Sequence, residues 1–295
     1  MTSHDRCIVA LARLLLVLVT ALAAWPPAAL ADLMVVGNDE KVVFDAEGNR
    51  TFVAPGKDTI SIVDITDREA PKILVSFPVM NSIFGPPTNL AITPDGKRAL
   101  VTKFAAHKIA LLDINGQKVT DAKHDMPVGL WPYNIGVTPN GKIGISADNG
   151  NAGAPDGHVD TVSIIDLEST PPRVIDRVVV GDAPEGFAIS PKGDVAVAVL
   201  LGGASVPKTM WFNTKRNGSL AVLKIEGKKV TRVGEVEVGG LPEGVVFSPD
   251  GKYLYVGNYT DRDVSILKVD GTKITDTGKK LKLPGQPASM RGRAR

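Results

Sequence analysis

An all-β fold of repeated four-stranded antiparallel sheets is what this 295-residue sequence predicts, on three observations. A tight turn of Pro/Asp/Gly type recurs at Asp45–Gly48, Thr93–Gly96, Thr138–Gly141, Ser190–Gly193 and Ser248–Gly251, with spacings of 48, 45, 52 and 58 residues. Some 15 residues after each turn an aliphatic run closes on Asp-Ile or a relative, at Ile62–Ile65, Leu111–Ile114, Ile164–Leu167, Val222–Ile225 and Ile266–Val269. No helical periodicity breaks this pattern beyond residue 31. A period of this length fits a four-stranded blade better than any helical repeat, so the expected fold is a β-propeller with about five visible repeats.

Residues 1–31 carry Arg6 and Arg13, the apolar run Leu14–Ala24, and Ala29-Leu30-Ala31 before Asp32, the layout of a cleaved secretory signal. The apolar run is shorter than the roughly 20 residues of a membrane span, and no later stretch is a candidate. Residues 32–295 are then read as a single propeller domain, periplasmic or secreted, with no transmembrane span. The one cysteine, Cys7, lies inside the signal, which removes disulfides, thiolate nucleophiles, cysteine-based zinc sites and Cys-x-x-Cys-His haem attachment from the exported chain. With 34 Lys and Arg against 32 Asp and Glu, interspersed, the chain has no basic stripe for phosphate neutralisation, so nucleic acid is not an expected partner.

In the first repeat, Val42–Phe44, Arg50–Val53 and Thr59–Ile65 read as strands one, two and three. In the second, Asn89–Ile92, Arg98–Thr102, Lys108–Ile114 and the polar Lys118–Asp125 complete a blade whose outermost strand is the most hydrophilic, as an edge requires. Inner strands are nearly continuous apolar runs because neighbouring blades cover both faces. The tail Gly285–Met290 repeats a blade-opening phrase and then stops, so it is expected to return to the first blade and latch the ring.

The phrases Ser248–Asn258 and Thr93–Thr102 resemble the YVTN-type propeller repeat of bacterial secreted and surface-layer-like proteins. The resemblance spans residues 32–295 and implies a ring that is usually seven-bladed. It belongs with a superfamily that includes lactonase-like enzymes and amine dehydrogenase large subunits, so it specifies fold more than function.

Blade-opening phrases share a face with the loops between second and third strands. Asn89, Asn134, Glu185 and Glu243 therefore fall together at the mouth of the channel, where two amides and two carboxylates suit a hard cation such as calcium or, equally, satisfy backbone groups where strands begin. Two insertions open on this face. One, 148–160, is rich in oxygen donors and contains His158; the other, 201–217, carries Trp211 and Phe212. With Trp131 and Tyr133 these form a candidate ligand-binding set. His107, His124 and His158 lie in separate loops and read as isolated surface residues.

The first functional expectation is a non-catalytic exported propeller that binds an envelope protein or small-molecule ligand on the insertion-bearing face. The alternative is a metal-assisted lactone hydrolase with Glu185 or Glu243 as general base, helped by Asn89 and Asn134. An electron-transfer accessory resembling an amine dehydrogenase subunit is a third.

Overall fold

The computed structural model describes residues 33–39, 42–45, 47–52, 59–78, 90–103, 106–115, 118–212 and 215–292. The expected signal with Cys7, the blade-opening segment that includes Asn89, and Arg293 and Arg295 lie outside them.

Four of the five repeat turns are built by one side-chain device, whereas at Asp45 the carboxylate itself accepts the N–H groups of Glu47 and Asn49. The hydroxyl of Thr138 donates to Asn140 Oδ1 at 2.7 Å and accepts the N–H of Ile143 at 3.3 Å, while Gly141 N–H donates to Thr138 O at 2.8 Å. Thr93 with Asp95 and Ser248 with Asp250 repeat it at 2.6 and 2.5 Å. Where Lys192 replaces the acid, Ser190 reaches Asp194 instead, at 2.8 Å. A hydroxyl followed two residues later by a carboxylate or amide closes the turn locally, which explains the recurrence of this phrase.

Among the described residues these turns join five four-stranded antiparallel sheets, each ordered from the axis outward. The second sheet is β6 (Leu90–Ile92), β7 (Arg98–Lys103), β8 (Lys108–Asn115) and β9 (Lys118–Pro127). The third is β10 (Pro132–Val137), β11 (Ile143–Asp148), β12 (Asp160–Asp166) and β13 (Arg173–Gly181). The fourth is β14 (Pro184–Ile189), β15 (Val195–Leu200), β16 (Asn217–Glu226) and β17 (Lys229–Gly240). The fifth is β18 (Pro242–Phe247), β19 (Tyr253–Asn258), β20 (Asp263–Asp270) and β21 (Lys273–Lys282).

The first sheet departs from the expected order. Its innermost strand is β22 (Gln286–Gly292), followed by β1 (Leu33–Asp39), β4 (Thr59–Asp64) and β5 (Lys72–Pro78). The C-terminal segment thus pairs with the first strand, Val36 opposite Met290, and latches one sheet from both ends of the described chain. Strands β2 (Val42–Phe44) and β3 (Arg50–Phe52), expected as the first two strands of this blade, instead form a separate hairpin between its second and third strands. The reason is that β1 and β22 already occupy the inner positions, so the Asp45–Gly48 turn closes an insertion rather than a blade.

Apolar clusters join successive sheets. Ile143, Ile164, Ala198 and Leu223 pack third against fourth, and Val197, Val222, Val256 and Leu267 pack fourth against fifth. Met34, Val36 and Met290 of the first sheet pack on Tyr255, Val264 and Ile266 of the fifth. At this seam Tyr253 Oη donates to Glu69 Oε1 at 2.7 Å, and Lys268 and Lys279 pair with the same carboxylate at 2.7 and 2.8 Å. Those three donors hold the Glu69 carboxyl down at about 2. One cavity of about 560 Å³ is lined by Leu90, Asn134, Phe187, Val245 and Met290, one residue from each innermost strand, which places the axis.

Candidate active site

Antiparallel order puts the loops after second strands and the connections into innermost strands on one face. Three insertions open there: the β2–β3 hairpin, the loop before Asp160 and the loop before Asn217. They touch. Lys208 N–H donates to Glu47 O at 2.8 Å, and Gly48, at φ 84°, lies so close to the long insertion that a Cβ would sit 2.1 Å from Val206 O. Gly157 abuts Phe212, whose Cβ would lie 2.8 Å from an added methyl. The expected pair of insertions is therefore a set of three, and the hairpin is the member that the sequence assigned to the blade itself.

Beneath them three innermost strands begin identically. Trp131, Ala183 and Leu241, each preceding a proline, adopt φ of 54°, 53° and 47°. A left-handed non-glycine conformation costs about 1–3 kcal/mol per residue. It is held by the rim: Asn149 N–H donates to Trp131 O at 2.9 Å, Leu201 to Ala183 O at 3.4 Å and Tyr259 to Leu241 O at 2.9 Å. Ala183 and Leu241 pack with Leu201 and Tyr259 in one buried cluster, with Ala204 and Ala288 against it. Two residues beyond these strained positions come Tyr133, Glu185 and Glu243, whose side chains meet.

Glu185 and Glu243 are 2% and 8% exposed and hydrogen-bonded to each other. Their backbones are equally close: a Cβ on Gly186 would lie 2.0 Å from Glu243 O. Burial and the neighbouring Glu243 carboxylate push Glu185 well above the usual carboxylate range, against the opposing hydrogen bond from the Tyr133 hydroxyl. Burial pushes Glu243 up to about 7, and the hydrogen bond from Glu185 limits the rise. Two such carboxyls cannot both ionise cheaply, so the pair shares a proton at neutral pH. The Tyr133 hydroxyl is kept protonated, chiefly by the charge of Glu185. Asn149 Nδ2 donates to Glu185 Oε1 at 3.1 Å, and Asn149 Oδ1 accepts Gly153 N–H at 2.6 Å, so the insertion that covers the pair is tied to it.

The other expected site residues are dispersed. Asn134 is buried, accepts Ile135 N–H at 2.9 Å and lines the axial cavity, which the glutamates do not. Trp131 donates its backbone N–H to His107 Nδ1 at 2.9 Å, and its ring meets that imidazole edge-on at 4.9 Å. His124 Nε2 is 2.6 Å from Pro172 O. Neither His107 nor His124 is the isolated surface residue expected. His158 is exposed, with Nδ1 3.3 Å from Asp156. Trp211 is 77% exposed and meets Phe212 edge-on at 5.4 Å. Asn89 lies outside the described residues. Asn149 and the role of Tyr133 escaped the sequence reading, although Asn149 heads an insertion whose polar density was visible.

Calcium takes six to eight oxygens. The carboxyls here bond to each other, Asn134 Oδ1 is taken by its own strand, and no group of three or more His, Cys, Asp or Glu suited to a metal occurs among the described residues. This donor set does not fit a resident calcium, and no step is derived through one.

The family profile described as a seven-bladed β-propeller lactonase matches residues 204–289, which include Glu243 but not Glu185. A comparison with curated proteins finds no match. Among solved structures, a candidate 6-phosphogluconolactonase of Bacteroides fragilis superposes with TM-score 0.62 at 16% identity, covering 92% of this chain and all (100%) of that one. One from Bacteroides uniformis gives 0.60 at 14%, covering 89% and 99%. Hydrazine synthase of Kuenenia stuttgartiensis gives 0.51 at 20%, covering 74% of this chain, which spans 59% of that one. At these identities the structural likeness carries the fold alone, a β-propeller with five four-stranded sheets among the described residues.

Proposed function

We propose that the protein is an exported hydrolase that opens lactones at the mouth of the propeller, with Glu243 as general base. The observation that carries this reading is the buried Glu185–Glu243 pair, one member of which is tuned to about 7, near the operating range of a base. The profile match over residues 204–289 and the fold shared with candidate phosphogluconolactonases support lactone chemistry over the non-catalytic binding role.

In this reading Glu243 takes a proton from water as its oxygen attacks the lactone carbonyl carbon. The carbonyl π electrons move to oxygen, and the Tyr133 hydroxyl or the proton held by Glu185 stabilises the developing oxyanion. Collapse breaks the ring C–O bond, and the proton taken by Glu243 passes to the departing oxygen, leaving a hydroxy acid. The strained pre-proline residues and Asn149 hold these groups in place.

The test is hydrolysis of a lactone panel by the purified protein. Glu243→Gln is expected to lower kcat/KM roughly 100- to 10 000-fold, with the melting temperature retained or raised and activity unaffected by chelation. Full activity in a folded Glu243→Gln variant contradicts the proposal. Loss of activity on chelation returns the metal-assisted form.

A further inference from the structure

We infer that the axial cavity, at the end of the channel away from the mouth, binds an amphiphilic monoanion of the aliphatic carboxylate class. The site stands apart from the hydrolase reading and does not depend on it.

At about 560 Å³ the cavity is of small-ligand size. Pro94, Pro139, Pro191 and Pro249, one from each of the four hydroxyl-led turns, line it, and the first three are exposed. Those turns join first to second strands, so they lie on the face opposite the insertions. Tyr133, Glu185 and Glu243 are not among the lining residues.

Each innermost strand presents an accessible side chain to this space. Leu90 of β6 is 57% exposed, and Val137 of β10, Ala188 and Ile189 of β14 and Val246 of β18 are half-buried. Four of the five strands therefore line it with aliphatic surface. The fifth, β22, contributes Arg291, the only charged side chain among the described lining residues. Its Nη1 donates to Met290 O at 3.0 Å, within its own strand. The side chain is exposed to the cavity yet enclosed by protein, and this partial burial pushes the guanidinium below its ordinary value. An aliphatic wall with one guanidinium suits an alkyl chain that ends in a single negative charge. A carboxylate supplies that charge. A phosphomonoester carries close to two, and no second cation in the described lining offsets the excess.

Calorimetric titration of the purified protein with octanoate, 1-octanol and octyl phosphate tests the assignment. Octanoate is expected to bind at one site per chain, at least about tenfold more tightly than octanol and no more weakly than octyl phosphate. Arg291→Met is expected to abolish the preference for octanoate over octanol. Ala188→Phe, which fills the space and keeps the guanidinium, is expected to weaken both ligands. Glu243→Gln is expected to leave octanoate affinity unchanged, so the outcome is independent of whether the mouth opens lactones. If Arg291→Met does not fold, the wild-type ratio of octanoate to octanol affinity and the Ala188→Phe titration carry the decision. Absence of saturable octanoate binding overturns the inference, as does octanoate affinity that survives Ala188→Phe. Equal affinity for octanoate and octanol, or tighter binding of octyl phosphate, overturns the carboxylate assignment.

Discussion

Asn149, on the insertion after β11, donates its side-chain N–H to Glu185 Oε1 at 3.1 Å, so a loop of the third sheet holds a carboxyl of the fourth. The same side chain accepts Gly153 N–H at 2.6 Å. Removing it takes away a donor that favours negative charge on the pair. Asn149→Ala is therefore expected to move the acidic limb of the kcat/KM profile to higher pH, by about one unit or less. A merely structural role would lower the rate at every pH without moving that limb. The profile of the variant checks this.

Stability should fall as pH rises through neutrality. Glu243, at about 7, and Asp148 and Asp160, each pushed up to about 6, bind protons more tightly folded than unfolded. Their contribution is fully present below the unfolded carboxylate range near 4 and is lost as pH rises through 6 and 7, at up to about 1.4 kcal/mol per pH unit for each proton. Glu69, held at about 2, acts in the opposite sense only at acid pH, below the unfolded range. Thermal melts between pH 5 and 8 are expected to show a declining midpoint, flatter in Glu243→Gln. A midpoint that rises over this window contradicts the assignment.

The C-terminal latch makes a separate claim. Met290 is 1% exposed in the cluster that joins first and fifth sheets. Met290→Ala is expected to cost about 2–5 kcal/mol, whereas Ile175→Ala, at a 39% exposed position of an outer strand, should cost far less. Equal denaturant midpoints for the two variants would mean that β22 is not integral to the first sheet.

Gly186 sets the distance between two innermost strands. A Cβ there would lie 2.0 Å from Glu243 O, so Gly186→Ala must push β18 away from β14 and separate the glutamates. A loss of about 1–3 kcal/mol is expected, with activity falling further than in Gly234→Ala, where only the Val222 Cβ lies near, at 4.0 Å. Denaturation and kinetics on the two variants check it.

The blades were legible because their turns are local: Thr138, Asn140 and Gly141 close one within four residues. The first blade was misphased because Val42–Phe44 and Arg50–Phe52 carry the same pattern around the same kind of turn, and strand partners are set by distant segments. Pairing with Gln286–Gly292 on one side and Thr59–Asp64 on the other distinguishes β1 from the hairpin. Glu185 and Glu243 stood out because Pro-Glu-Gly occurs twice. Tyr133 stood out only as a ligand contact and Asn149 only as part of an oxygen-rich insertion, since their meeting with Glu185 depends on how an adjacent sheet and its loop are placed. The pre-proline strain at Ala183 and Leu241 was equally invisible, because proline disfavours that geometry and only the rim hydrogen bonds hold it.

The shared proton is the centre of the account, and infrared difference titration reads it directly. Wild-type protein is expected to keep a protonated-carboxyl band above pH 6 that is lost or shifted in both Glu185→Gln and Glu243→Gln. A spectrum in which all carboxyls have ionised by pH 5, unchanged by either substitution, would contradict it.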